Sequence, residues 1–122
     1  MSDATKPKVS VDFINFDDSD PRVFQCSHPL LDGQMVIAHD TIGNRLAFER
    51  YASVQMGPTP TPDVEGLAYM RATVEFGFET IKGQKPEKSD VNWDNFKGKK
   101  GRELLGGLAE AVQAYWKFCE DE

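Results

Sequence analysis

This chain has few of the residues and motifs on which most enzyme and metal sites depend. Its 122 residues include only two cysteines and two histidines. Cys26 and Cys119 are far apart and form no C-x-x-C pair, so neither a disulfide framework nor a zinc module is indicated. The sequence also lacks a G-x-S-x-G motif and a complete Walker loop. We therefore expect a protein that is not an enzyme and that uses no metal or cofactor.

Long apolar runs are also missing. No stretch approaches the ~20 apolar residues that a membrane helix needs. The first 13 residues lack the apolar segment of a secretory signal. We expect a cytoplasmic protein with free thiols and no membrane partner.

The balance of charge is acidic. The formal net charge is −6, from 14 Lys and Arg against 20 Asp and Glu. Binding a phosphate backbone depends on a concentrated positive field, so the charge argues against a nucleic-acid partner. It favours solubility or a basic protein partner.

The pattern of the first third predicts a small antiparallel sheet. Residues 1–8 are polar and are expected to form a flexible N-terminal arm, followed by a single α+β domain over residues 9–122. Val9, Val11 and Phe13 alternate with polar residues, as in a half-buried strand. Asp32-Gly33 predicts a tight hairpin turn. We expect about three strands within residues 9–39.

Three amphipathic helices are predicted after the sheet, at about residues 41–56, 64–82 and 102–119. Gly57 and Gly83 follow the first two, where helices commonly end. The apolar residues that the spacing directs toward the core are Ile42, Leu46, Ala47, Tyr51 and Val54 in the first helix, Val64, Leu67, Ala68, Val74, Phe78 and Ile81 in the second, and Leu104, Leu105, Leu108, Val112, Tyr115, Trp116 and Cys119 in the third.

Aromatic and sulfur-containing side chains spread beyond one side of the second and third helices. An apolar stripe wider than one core requires predicts self-association or a groove for a partner. The candidate partner-binding residues are Tyr69, Met70, Phe76, Tyr115, Trp116 and Phe118.

The stretch NFKGKKGRELLGGL places Lys97, Lys99, Lys100 and Arg102 before the third helix. Its lysines precede the last glycine and no Ser or Thr follows, so the order does not fit a Walker loop. We interpret the stretch as a hinge, with contact to an anionic group as the alternative. Gly106-Gly107 inside the helix costs about 2 kcal/mol relative to Ala-Ala, which predicts close packing against another helix.

The hairpin segment LLDGQMVIAH and the helices LAYMRATVEFGFETI and LLGGLAEAVQAYWKF resemble, in size and layout, the tail assembly chaperones of long-tailed bacteriophages. Those proteins are small, acidic and rich in helix, coat the tape measure protein and recruit tail tube subunits. The resemblance implies a non-enzymatic viral assembly factor of the host cytoplasm that forms a homo-oligomer and holds a helical protein partner. The alternative is a small acidic inhibitor that masks a basic, nucleic-acid-binding partner.

Overall fold

The computed structural model describes residues 7–85, 88, 91, 93, 96 and 98–120. Most of the predicted N-terminal arm (residues 1–6) and Lys97 lie outside the described residues. The elements are β1 (Ile14–Phe16), β2 (Val23–His28), β3 (Leu31–Ile37), α1 (Ile42–Met56), α2 (Pro62–Phe76), β4 (Phe78–Ile81) and α3 (Gly98–Glu120). The α+β class, the antiparallel sheet and the three helices agree with the prediction. The sheet has four strands instead of about three.

The sheet is antiparallel in the order β1-β2-β3-β4, and one of its faces is buried. Its register pairs Phe16 with Phe24, Phe24 with Met35, and Met35 with Ile81, so these buried side chains share that face. The predicted first strand, with Val9, Val11 and Phe13 facing the core, is wrong in its position. The strand begins at Ile14, and Val9 packs half-buried against the core ahead of it.

The hairpin turn between β2 and β3 lies at Pro29-Leu30, not at Asp32-Gly33. His28 pairs with Leu31, which leaves two residues in the loop. The Leu30 amide donates to Nδ1 of His28 over 3.0 Å, so the buried histidine side chain stabilises the turn. Gly33 lies within β3, where a Cβ atom would come within 2.7 Å of the Lys82 side chain. A side chain at this position would require the Lys82 side chain to move, and no turn occurs here.

Threonines cap both central helices. Thr41 Oγ1 accepts the Asn44 amide at the start of α1, and Thr61 Oγ1 accepts the Val64 amide at the start of α2. Pro62 occupies the first turn of α2, where its fixed φ suits a helix and its missing N–H costs nothing.

The predicted second helix, residues 64–82, is divided between α2 and β4. Gly77 ends the helix: its amide donates to the Thr73 carbonyl over 2.7 Å, and its own carbonyl accepts the Ala38 amide over 2.9 Å. A Cβ atom on Gly77 would lie 2.5 Å from that Thr73 oxygen. The chain then turns into β4, which pairs with β3. Phe78 and Ile81 are buried from this strand, so tertiary pairing overrides the helical spacing.

The third helix begins at Gly98, about four residues before its predicted start. Gly101 is buried against the backbone of Phe96, at a distance that leaves no room for a Cβ atom. The residues from Gly98 to Arg102 are therefore helical, and they do not form the extended lead-in implied by the hinge interpretation.

Side chains along α3 attach it to several parts of the sheet. Nε2 of the buried His28 lies 3.0 Å from Oε1 of Glu103, and Oγ of Ser10 donates to Glu110 over 2.9 Å. Nearer the end of α3, Nε1 of Trp116 donates to the Ala38 carbonyl over 3.2 Å. The helix thereby fixes the segment before β1, the β2–β3 turn and the end of β3.

Gly107 faces the ring of Phe13, whereas Gly106 faces open space. The predicted close approach exists for Gly107, but its neighbour is the segment before β1, not another helix. A glycine inside a helix costs about 1 kcal/mol relative to alanine at either position. An added methyl group recovers this free energy at Gly106, whereas at Gly107 it also meets the Phe13 ring.

We predict opposite effects for Gly106→Ala and Gly107→Ala. At Gly106 no atom lies within 4 Å of the added Cβ, so the free energy of unfolding rises by about 1 kcal/mol. At Gly107 the Cβ overlaps the Phe13 ring, so the free energy of unfolding falls by about 1–2 kcal/mol despite the gain in helix propensity. Urea unfolding followed by circular dichroism measures both, each variant serving as the control for the other. Equal stabilisation by the two substitutions would contradict the packing of Phe13 on α3.

Candidate protein-binding surface

Large apolar side chains remain exposed on α1 and α2. Within the described residues, seven large hydrophobic side chains are exposed, and all but Leu30 lie on these two helices. The six are Ile42, Leu46, Val54, Val64, Leu67 and Tyr69. Isolated exposed apolar residues are common, whereas contiguous apolar patches are typical of interaction sites.

The first part of this surface is the α1 patch, formed by Ile42 and Leu46. Their side chains are 83% and 56% exposed, and they are one helical turn apart. They line a groove of about 300 Å³ together with Asp40, Thr41, Arg45 and Glu120. The groove therefore lies between the first turns of α1 and the last residue of α3.

Arg45 joins the α1 patch to the core. Its Nε and Nη2 atoms donate to the two carboxylate oxygens of Asp40 over 3.1 and 2.8 Å. Its guanidinium carbon also lies 4.5 Å from the centre of the Trp116 ring, a cation–π distance. A bidentate ion pair and an aromatic stack together hold this side chain in one orientation. The start of α1 is thereby fixed against α3.

The second part is the α2 groove, which lies between α2, α3 and residues 93 and 96. It has a volume of about 210 Å³ and is lined by Leu67, Met70, Arg71, Val74, Trp93, Phe96 and Leu105. Arg71 pairs with Glu75 over 3.1 Å, and its Nε donates to the Tyr51 hydroxyl. The groove is thus apolar, and the arginine in its wall is paired within the chain.

Two of the six predicted partner-binding residues belong to the core. Tyr115 and Trp116 are 6% and 1% exposed, so a partner cannot reach them without opening the fold. The prediction is corrected for both. Burial, together with a hydrogen bond to Cys119, raises the pKa of Tyr115 to about 12.

The other four predicted partner-binding residues differ from one another in their surroundings. Met70 lines the α2 groove. Tyr69 is exposed, but its hydroxyl donates to Glu49 of α1 over 3.2 Å, and partial burial with that carboxylate raises its pKa. Phe76 is half-buried and its ring packs edge-on against Tyr51, with 5.5 Å between centroids. Phe118 is half-buried near the end of α3. The structure does not bring the six together.

Lys99, Lys100 and Arg102 are exposed in the first turns of α3. Lys99 and Arg102 are three residues apart and lie on the same side of the helix, whereas Lys100 points in a different direction. The anion-contact alternative for these residues stays a prediction.

Sequence reasoning missed the α1 patch because it assigned Ile42, Leu46 and Val54 to the core. The side chains of α1 that are buried are Phe48 and Ala52. Both sets recur at helical spacing, so α1 has an inner and an outer apolar stripe. Their coexistence is visible in the sequence, but periodicity cannot tell which stripe faces inward.

Neither metal binding nor membrane insertion is indicated by the described residues. In the described ranges no three His, Cys, Asp or Glu side chains lie close enough together to hold a metal ion. None of the helices in the described part of the chain combines the length and the apolar content that crossing a bilayer requires. Comparison with protein-family models, with curated proteins and with solved structures gives no match to this chain.

We predict that Tyr115 makes stability fall at high pH. Its pKa is about 12 in the folded chain and about 10 when unfolded. Because the folded value is higher, the contribution is constant below pH ~10 and is lost as the pH rises from ~10 to ~12. Tyr115→Phe should flatten this part of the curve and remove the phenolate absorbance step near pH 12, whereas Tyr69→Phe should keep that step. Loss of the step in Tyr69→Phe instead would contradict the buried position of Tyr115.

Proposed function

We propose that this chain is a non-enzymatic assembly protein that associates with copies of itself and holds a helical segment of a partner protein. The observation that carries the proposal is the exposed apolar layer of α1 and α2. This layer has two separate parts, the α1 patch and the α2 groove. Two separate contact surfaces suit a protein that must bind its own copies and a partner at the same time.

The energetic argument concerns the outer side chains of α1 and α2. Burying one large aliphatic side chain contributes about 1.5–3 kcal/mol, which Ile42 and Leu46 largely forgo in the isolated chain. A contact that covers these side chains recovers much of that free energy. Helices that place apolar residues in a partner's groove are a recurring mode of protein recognition.

The specific form of the proposal is a tail assembly chaperone of a long-tailed bacteriophage, working in the host cytoplasm on a helical, aggregation-prone partner. The support is the acidic composition, the small size and the exposed apolar helices. Within the described residues, the helical layer rather than the sheet carries most of this surface.

The acidic inhibitor is supported less well. Such a protein presents a row of free carboxylates to its partner. In this chain several carboxylates are occupied by internal partners: Asp17 accepts from Ser19, Asp40 pairs with Arg45, Glu75 with Arg71, Glu79 with Arg22, Glu103 with His28, and Glu110 accepts from Ser10. The three arginine pairs offset the charge of Asp40, Glu75 and Glu79, and the hydrogen bonds orient the other three carboxylates toward groups of the chain itself.

We predict that the purified chain self-associates through the α2 groove. Arg71 is neutralised by Glu75, so two copies can approach there without strong charge repulsion. Leu67→Ser should weaken self-association by about tenfold or more, since it places a polar group in the apolar contact. Light scattering on a size-exclusion column, over a wide range of protein concentrations, gives the mass. Salt well above ~0.15 M should leave the oligomer intact, because it screens charges and not apolar burial.

Leu30→Ser is the matched control, because Leu30 is exposed to a similar extent but lies in the hairpin turn. It should leave the mass unchanged. A strict monomer at all concentrations and at both salt levels would contradict the self-association part of the proposal. An oligomer that Leu67→Ser leaves intact would move the interface away from the α2 groove.

A further inference from the structure

We propose that the α1 patch binds an amphipathic helix whose apolar face is flanked by lysine or arginine. The inference rests on the proposed function and deepens it, because it specifies the chemistry of the partner. Its basis is the combination of two exposed aliphatic side chains with an acidic edge in one groove.

The apolar part of the groove has the dimensions of a helix contact. Ile42 and Leu46 are separated by one turn of α1 and project from the same side of it. A second helix packs against such a pair by placing its own side chains, three or four residues apart, on either side of them. The groove of about 300 Å³ beside these residues leaves room for those side chains.

The edge of the groove is negative. Glu120 lies in its wall and ends α3, where the last carbonyl groups carry the negative end of the helix dipole; Lys117 is in the same turn but does not line the groove. Within the described residues no cation pairs with Glu120. Arg45 does not neutralise it, because its guanidinium is bound to Asp40 and stacked on Trp116. In the sequence, Asp121 and Glu122 follow directly.

The same charges disfavour a second copy at this position. In a twofold dimer the same patch lies on both sides of the interface, so Glu120 would face the lining of this same groove, whose one arginine, Arg45, is already paired with Asp40. The formal charge of −6 gives the chain a negative long-range field, which attracts a basic partner. A partner with basic residues beside its apolar anchors is attracted both by Glu120 at the edge of the groove and by the negative field of the whole chain.

Two synthetic helical peptides of about 20 residues test the proposal, a length at which a designed helix is stable enough to bind. They share leucines at helical spacing and differ only in whether the flanking residues are lysine or glutamate. Fluorescence anisotropy of the labelled peptides measures binding to the full chain. We expect the lysine peptide to bind at least about fivefold more tightly than the glutamate peptide, with a difference that shrinks as salt is added.

The variants locate the site. Ile42→Ser and Leu46→Ser should each weaken binding of the lysine peptide about tenfold, and Glu120→Lys should weaken it about fivefold. Val54→Ser is the matched control, because Val54 is exposed on the same helix but does not line the groove. It should leave binding unchanged. Thermal melting checks that each variant is folded.

The remaining outcomes overturn the inference in distinguishable ways. If both peptides bind equally and Ile42→Ser weakens both, the patch binds without charge selection, and only the proposed function survives. If neither peptide binds and Ile42→Ser dissociates an oligomer of the chain, a second copy occupies the patch, which again overturns only the inference. If neither peptide binds and the chain is a monomer, the inference and the proposed function both fail.

Discussion

The contact between the apolar stripe of α3 and the buried face of the sheet is the interaction on which the other elements depend. The sheet has short outer strands, β1 with three residues and β4 with four, and a small sheet of this kind needs a covering layer to be stable. Leu104, Leu108 and Trp116 of α3 belong to the same buried cluster as Phe24 and Met35 of the sheet. Because α3 also bonds to Ser10, His28 and Ala38, it fixes the sheet's ends as well as covering its face.

With α3 supplying much of the cover, half of the buried side chains of α1 and α2 are alanines. Ala52, Ala68 and Ala72 are buried beside Phe48, Thr73 and Val74, while Ile42 and Leu67 are exposed. A helix of an isolated domain normally has the reverse arrangement, with its large aliphatic side chains inside. Alanines on the inner side allow close packing of the helices. Ile42, at 83% exposed, adds little to folding, which is why the proposed function gives it a role in binding.

Sequence reasoning predicts which helices and strands form better than it predicts which side of each is buried. The α+β class, the antiparallel sheet, the hairpin and the three helices follow from local pattern. Strand β4 does not, because Phe78 and Ile81 continue the helical spacing of Val74. Gly77 ends the helix at a position where a Cβ atom would lie 2.5 Å from the Thr73 carbonyl oxygen, and the residues after it form a strand because they pair with the edge of β3. The inner stripe of α1 also depends on its neighbours, since Phe48 is buried by packing against Trp116.

Arg45 explains how an exposed patch can be shaped by a buried core. The patch lies between two elements, α1 and the end of α3, whose relative position would otherwise depend on a few apolar contacts. The ion pair with Asp40 fixes the guanidinium on the α1 side, and the stack on Trp116 fixes it on the α3 side. Trp116 is itself held by its hydrogen bond to Ala38 and by the ring of Phe48, 5.3 Å away. The groove is therefore ordered in the isolated chain, and the partner helix that we propose would not need to supply the free energy of ordering it.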